Sequence, residues 1–170
     1  FRFDLFKIII GNNHIFVLVI FKALNNIFVC NFLAAASAGF LIAYPAKIFL
    51  AQFDTIKKMA DEGPCVIIGR CADYALEDYP NVVSVFITGD EADKIKRVSE
   101  LYNVDEAKAK DLMIKTDKRR SSYYNYYSNK KWGDPKSYDM CINSSAVGQE
   151  GAVDIIMELA KKKQEWKKQK

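Results

Sequence analysis

The sequence predicts an α/β protein with a parallel sheet that carries helices on both faces. Short apolar runs rich in β-branched residues recur at residues 65–69, 82–88 and 138–142. Segments with the spacing of amphipathic helices separate these runs, which is the order of elements in βαβ units. A chain of 170 residues suffices for one domain with a substantial core, so we predict a single domain over residues 1–170.

The helices follow from the same pattern. Residues 47–62 place apolar side chains near one face and end at Gly63-Pro64. Asp90 and Asp105 are predicted N-cap residues, because their side chains can accept from the free N–H groups of a first helical turn. The lysine-rich segment 161–170 is interpreted as a solvated, fraying helix end, with a phosphate- or partner-binding arm as the alternative. The predicted helices are residues 47–62, 72–76, 91–100, 106–127 and 151–163.

The N-terminal part of the chain differs from the rest. Residues 1–46 contain four charged side chains and two long apolar runs, at residues 15–21 and 27–43. The second run has 17 uncharged residues, near the lower limit for crossing a bilayer core of about 30 Å. We favour a buried core over a membrane or export segment, so no membrane partner is expected; a segment that does not fold natively is the third alternative. Residues 7–11 are predicted as the first strand of the sheet.

Composition excludes several classes of protein. Half of the residues are hydrophobic and 27% are charged, which is typical of a globular chain and not of a disordered one. The formal net charge of +4 is compatible with phosphate-bearing ligands but too small to indicate a nucleic-acid partner. His14 is the single histidine, so neither a histidine-based metal site nor a Ser-His-Asp triad is expected, and we predict no metal ligands.

The four cysteines form no C-x-x-C pair, and three of them lie in or beside apolar runs. We interpret them as small buried hydrophobic residues in a reducing compartment, which predicts a cytoplasmic protein. Structural disulfides or a metal site are the alternatives. The four are Cys30, Cys65, Cys71 and Cys141.

The first candidate site follows the predicted strand at residues 65–69. Ligands of open parallel sheets bind at the carboxyl ends of strands, and Gly69 and Arg70 lie at such an end. Glycine lets the backbone approach a ligand, and the planar fork of arginine N–H donors matches a phosphate group. Asp73 follows three residues later. A turn with a surface arginine is the alternative interpretation.

The second candidate site lies within the predicted helix 106–127. Asp117 and Arg120 are one turn apart and share a face, and Lys115 and Arg119 are neighbours in the same way. Several cations beside a strand-end cleft could clamp a phosphoryl group during its transfer. Two alternatives stay open: a solvated basic helix face, and a surface on which the bases of single-stranded nucleic acid stack against the tyrosines that follow.

Taken together, these motifs resemble the cytidylate kinase-like family, a branch of the P-loop nucleoside monophosphate kinases. The resemblance covers residues 47–160 and consists of six segments in the family's order and at its usual intervals. Residues 1–46 form an atypical N-terminal part, and residues 161–170 form a basic tail. The segments are residues 49–56, 66–73, 85–87 with Lys96-Arg97, 115–120 with Tyr123-Tyr124, 131–134, and 138–139 leading to 142–145.

The resemblance implies a three-layer α/β/α fold of P-loop kinase type. It also implies transfer of the γ-phosphoryl group of ATP to a nucleoside monophosphate, with Mg²⁺, and CMP or dCMP is the expected acceptor. The lid arginines of such kinases reach the phosphates, and the lid aspartate contacts the acceptor or orients an arginine. The implied residues are Gly69, Arg70 and Asp73 for substrate binding, and Asp117, Arg119 and Arg120 for catalysis.

One motif of the family is not recognisable. Family members carry a Gly-rich loop after the first strand, whose backbone N–H groups hold the ATP phosphates. Here the predicted strand at residues 7–11 ends at Gly11, the candidate cofactor-binding residue, and Asn12 and Asn13 follow. No G-x-x-x-x-G-K-[ST] motif occurs in the chain. The alternative function is therefore a catalytically inactive relative that binds a nucleotide or a partner; a truncated or frame-altered chain and a different way of holding ATP also stay open.

Overall fold

Four parallel strands form the described sheet. The computed structural model describes Phe16–Phe21 and residues 44–169 of the chain. In these residues the strand order is β2-β1-β3-β4, and each neighbouring pair is parallel. The carboxyl ends of these strands therefore share one edge, where ligands of open parallel sheets bind. The strands are β1 at Phe16–Phe21, β2 at Val66–Ile68, β3 at Val82–Thr88 and β4 at Met140–Asn143.

Strand β1 occupies an inner position, because it pairs with β2 on one side and β3 on the other. Val17 lies opposite Val66 in β2 and opposite Val83 in β3. The apolar run at residues 15–21 therefore supplies a strand of the sheet. The strand predicted at residues 7–11, together with Gly11, lies outside the described residues.

Five helices connect and cover these strands. Helix α4 begins after Asp105, whose carboxylate accepts from the backbone N–H of Lys108 at 2.8 Å. Helix α5 begins earlier than predicted, because Asn143 at the end of β4 caps it and accepts from the N–H of Ser145 at 3.0 Å. Gly148 kinks α5, with φ 74° and ψ 172°. The helices are α1 at Tyr44–Glu62, α2 at Ala72–Ala75, α3 at Glu91–Tyr102, α4 at Glu106–Ser128 and α5 at Ser144–Lys168.

Strand β3 is covered by helices on both faces. Val82 and Phe86 belong to one core cluster, which also contains residues of α1, α2 and α4. Their neighbours Val83, Val85 and Ile87 belong to a second cluster, formed with α5. An inner parallel strand needs apolar side chains on both faces, which is why β3 is an apolar run apart from Ser84 and the final Thr88. The predicted α/β class is confirmed.

Two sequence interpretations change in detail. Cys71 is buried and Cys65 half-buried, but Cys141 is exposed, so the prediction of a buried residue is wrong there. Cys141 is exposed because β4 lies at an edge of the described sheet and Ile142 is the residue of β4 that faces α5.

The basic tail is helical as far as Lys168, and Lys163 Nζ lies 2.6 Å from the Asp139 carboxylate. None of the described helices is long and apolar enough to cross a bilayer.

Candidate functional site

A left-handed turn follows strand β2 at the carboxyl edge of the sheet. Gly69, Arg70 and Cys71 have φ angles of 70°, 58° and 54°. Glycine adopts this region freely, whereas each of the other two residues costs about 1–2 kcal/mol there. The Ala72 N–H closes the turn on the Gly69 carbonyl at 3.2 Å. Strain of this kind at a strand end marks a candidate site, and we call residues 69–71 the β2 turn.

Arg70 is exposed at this turn, on the side that faces α4. Its positive charge acts on two neighbours, the Cys71 thiol and the Tyr123 hydroxyl. Burial raises the pKa of each of these groups to about 12, and the Arg70 charge opposes the rise. Tyr123 in turn donates to Gln52 of α1 at 3.0 Å. The guanidinium is thus near both α1 and α4.

Asp73 lies in the first turn of α2 and is 5% exposed. Its Oδ2 accepts from the Tyr124 hydroxyl at 2.5 Å. Its Oδ1 is buried and has no hydrogen-bond partner among the residues that the structure describes. Burial raises the pKa of Asp73, while the Tyr124 hydrogen bond and the charge of Lys130 oppose the rise. An unsatisfied buried acceptor costs about 1–3 kcal/mol, so this oxygen calls for an explanation.

Two buried tyrosines support Asp73. Tyr124 is 3% exposed, and its ring lies 6.1 Å from that of Tyr138. Tyr138 accepts from the Gly133 N–H at 3.3 Å, and burial raises its pKa to about 12. Burial and the Asp73 carboxylate also raise the pKa of Tyr124, so its hydroxyl stays protonated and acts as a donor.

The predicted catalytic residues lie one turn earlier on α4. Arg120 is half-buried, with Nη1 3.8 Å from Asp117 Oδ1, and burial lowers its pKa against the opposing charges of Asp117 and Tyr102. Arg120 therefore lies on the side of α4 that meets α3, one turn before Tyr124. Arg119 is exposed and lies one turn before Tyr123, so it shares a helix face with the tyrosine that Arg70 influences.

The sequence placed Tyr124 and Tyr138 in family-like segments and offered the tyrosines of α4 for base stacking, but it gave neither residue a role beside Asp73. One signal was present, because Asp117, Arg120 and Tyr124 follow at intervals of three and four residues, which places them on one face of α4. No such signal connects Tyr124 with Asp73, which is 51 residues away in sequence.

A second polar cluster joins the ends of β3 and β4. The Asp90 N–H donates to Ser145 Oγ at 2.9 Å, and Asn143 Nδ2 donates to Asp90 Oδ1 at 2.9 Å. Ser144 Oγ donates to the Thr88 carbonyl, also at 2.9 Å. The groups of this cluster bond mainly to one another, so it holds the ends of β3 and β4 together at the same edge of the sheet.

The described residues alone do not supply a site for the ATP and Mg²⁺ that the sequence resemblance implies. Among them, no group of three or more His, Cys, Asp or Glu side chains could hold a metal ion. The inner strand β1 is the position from which a Gly-rich phosphate loop would follow, yet residues 22–30 contain no glycine. We therefore derive no reaction step that passes through ATP or Mg²⁺.

The parallel sheet and the strained turn at its carboxyl edge define an α/β protein with a candidate ligand site at that edge. The model of the cytidylate kinase-like family matches residues 14–146, which is more than half of the chain. The chain therefore belongs to the cytidylate kinase-like family. The match begins at residue 14 and so includes strand β1, which widens the extent predicted from sequence at its N-terminal end.

A solved structure supports the fold. The crystal structure of an uncharacterized protein from Eubacterium ventriosum is 32% identical to this chain, with a TM-score of 0.72. The match covers 87% of this chain and 99% of that one. Comparison with curated proteins finds no match. The family and the fold thus rest on two independent comparisons, neither of which names a substrate for this chain.

The environment of Asp73 predicts a pH-dependent stability. Because burial raises its pKa, the folded state binds the carboxyl proton more tightly than the unfolded chain, where aspartate titrates at about 3.9. The free energy of unfolding therefore falls as the pH rises from about 3.9 through the raised folded-state value. Asp73→Asn cannot titrate and should remove this fall, as urea unfolding at a series of pH values would show. Asp105→Asn, at the exposed N-cap of α4, is the control. A difference in the free energy of unfolding between Asp73→Asn and wild type that stays constant with pH would contradict the prediction.

Proposed function

We propose that the chain binds a nucleoside monophosphate at the β2 turn and is a phosphotransferase that moves the γ-phosphoryl group of ATP to this acceptor. The proposal includes the three-layer P-loop kinase fold, CMP or dCMP as the acceptor, and ATP with Mg²⁺ as the donor. Family membership supports the activity, and the arrangement of Arg70 and Asp73 at the strained turn is the observation that supports the acceptor site. The free thiols of Cys65, Cys71 and Cys141 suit a reducing cytoplasm.

Arg70 supplies the charge that the phosphate requires. Its side chain is exposed, and the described residues give it no ion pair, so its donors are available to a ligand. A guanidinium presents two parallel N–H donors to a phosphate and stays charged at any physiological pH. Gly69 has open space where a Cβ would stand, which leaves room for a ligand beside the backbone.

In this proposal Arg119 and Arg120 of α4 are the catalytic arginines that reach the phosphates, and Asp117 contacts the acceptor or orients an arginine. Asp117 lies beside Arg120 and orients its guanidinium, while the exposed Arg119 lies on the face of α4 that also carries Tyr123. An acceptor phosphate is already nucleophilic, so no general base is needed and the protein contributes positioning and charge neutralisation.

A second candidate function is a module that binds a nucleoside monophosphate without transferring phosphate. The observation that favours it is the missing G-x-x-x-x-G-K-[ST] motif, because a phosphotransferase of this family needs a cradle for the donor phosphates. Both candidates share the acceptor site and differ in the binding of ATP.

Isothermal titration separates the two candidates. We expect saturable binding of CMP in either case, because both use Arg70 and Asp73. Saturable binding of Mg-ATP together with CMP-dependent release of ADP would establish the phosphotransferase, whereas CMP binding without ATP binding would establish the binding module. A chain that is folded by circular dichroism and binds no nucleoside monophosphate would contradict both.

Arg70→Ala tests the acceptor site directly. The substitution removes a charge-assisted contact with the phosphate, so the Kd for CMP should rise by about tenfold or more. Lys110→Ala is the matched control, because it removes one positive charge from an exposed pair with Glu91 on the α3–α4 surface. Equal CMP affinity in Arg70→Ala and Lys110→Ala would show that the phosphate does not bind at the β2 turn.

A further inference from the structure

The two oxygens of the Asp73 carboxylate differ in their hydrogen bonding. Oδ2 accepts from Tyr124, whereas Oδ1 is buried and has no donor in hydrogen-bond geometry among the described residues, although the backbone N–H groups of Asp73 and Tyr74 lie near enough to stabilise the carboxylate. Buried carboxylate oxygens are normally satisfied, so an unsatisfied one beside a candidate site indicates a missing donor. The site as proposed would supply that donor from its ligand.

Both the backbone and the ring of Tyr124 make contacts that fix its position. Its backbone carbonyl accepts from Ser128 Oγ at 2.6 Å, and its ring packs among buried residues of the cluster that covers one face of β3. Its hydroxyl therefore reaches Asp73 Oδ2 from a buried, packed position. With Oδ2 occupied, Oδ1 is the oxygen available to another donor.

Lys130 strengthens the acceptor character of Asp73. Its Nζ lies 3.0 Å from Glu77 Oε1, and its positive charge also acts on the Asp73 carboxylate. The groups that act on the Asp73 carboxylate are thus the Tyr124 hydroxyl from α4, the Lys130 cation from the segment after α4, and the backbone N–H groups of Asp73 and Tyr74. Each of them favours the ionised carboxylate, which accepts hydrogen bonds and donates none.

We propose that Tyr124 is a positioning residue, whose hydroxyl holds Asp73 Oδ2 so that Oδ1 accepts an N–H or O–H group of the bound nucleoside monophosphate. This inference rests on the proposed function and extends it to ligand selection. The site takes a phosphate monoester with a hydrogen-bond donor beyond the phosphate, and it discriminates against inorganic phosphate.

The test compares Tyr124→Phe with Tyr79→Phe by isothermal titration with CMP and with inorganic phosphate. Tyr79 is the matched control, because its hydroxyl also donates to an aspartate, Asp61, at 2.9 Å but on the surface. Tyr124→Phe should raise the Kd for CMP about tenfold and leave the Kd for phosphate within about twofold, since only the CMP donor depends on Asp73. Tyr79→Phe should change neither value.

Asp73→Asn provides a second variant in case Tyr124→Phe folds poorly. The amide oxygen can still accept from Tyr124, but the amide NH₂ then takes the place of Oδ1 and meets the ligand as a donor. In Asp73→Asn the Kd for CMP should therefore also rise, while the Kd for inorganic phosphate should stay unchanged. An equal loss for both ligands, or no loss for CMP, would overturn the inference. Wild-type protein that binds no CMP would instead overturn the proposed function on which it rests.

The same titrations identify the donor. If the loss in Tyr124→Phe is found with CMP and dCMP but not with UMP, the donor is the amino group of the base. If it is found with CMP and UMP but not with dCMP, the donor is the 2′-hydroxyl, and an equal loss with all three indicates the 3′-hydroxyl. Each pattern supports the role of Tyr124, and the absence of any loss contradicts it.

Discussion

The hydrogen bond from Tyr124 to Asp73 is the interaction on which the candidate site depends. Helix α2 has only four residues, too few for a stable helix on its own, and the β2 turn before it contains two non-glycine residues with positive φ. Contacts from elsewhere must therefore hold this segment. Tyr124 supplies one from the C-terminal part of a 23-residue helix, and the buried alanines of α2 with Leu76 directly after it supply the apolar remainder. The strain at Arg70 is maintained because its surroundings are fixed.

The proposed nucleotide site has an acceptor half and a donor half. The sequence supplies residues for the acceptor half but lacks the Gly-rich motif of the donor half. The acceptor half, at the end of β2, has an available arginine and a buried carboxylate with an oxygen to spare. The donor half would begin after β1, the inner strand, where the sequence contains no Gly-rich motif. Under the proposed function, the acceptor half alone binds the monophosphate. The family activity requires the donor half as well, which is why binding of ATP separates the two candidate functions.

Local features of the sequence predicted much of the fold, and features that depend on distant residues were missed. Strand β3 and helix α4 follow from a β-branched run and from an aspartate cap, each of which acts within a few residues. Strand β1 could not be predicted in this way, because the apolar run at residues 15–21 does not by itself indicate a strand, and it is the pairing with β2 and β3 that identifies it. The exposure of Cys141 depends on the edge position of β4, and the partner of Asp73 lies on a helix 51 residues away. In the site, Arg70 and Asp73 could be proposed from sequence, whereas Tyr124 could not.

A crystal structure of the protein with bound CMP tests the central claim most directly. The account predicts the phosphate within hydrogen-bond distance of the Arg70 guanidinium, a ligand N–H or O–H on Asp73 Oδ1, and the Tyr124 hydroxyl still on Oδ2. CMP bound elsewhere on the molecule, with Asp73 Oδ1 receiving no donor from it, would contradict the account.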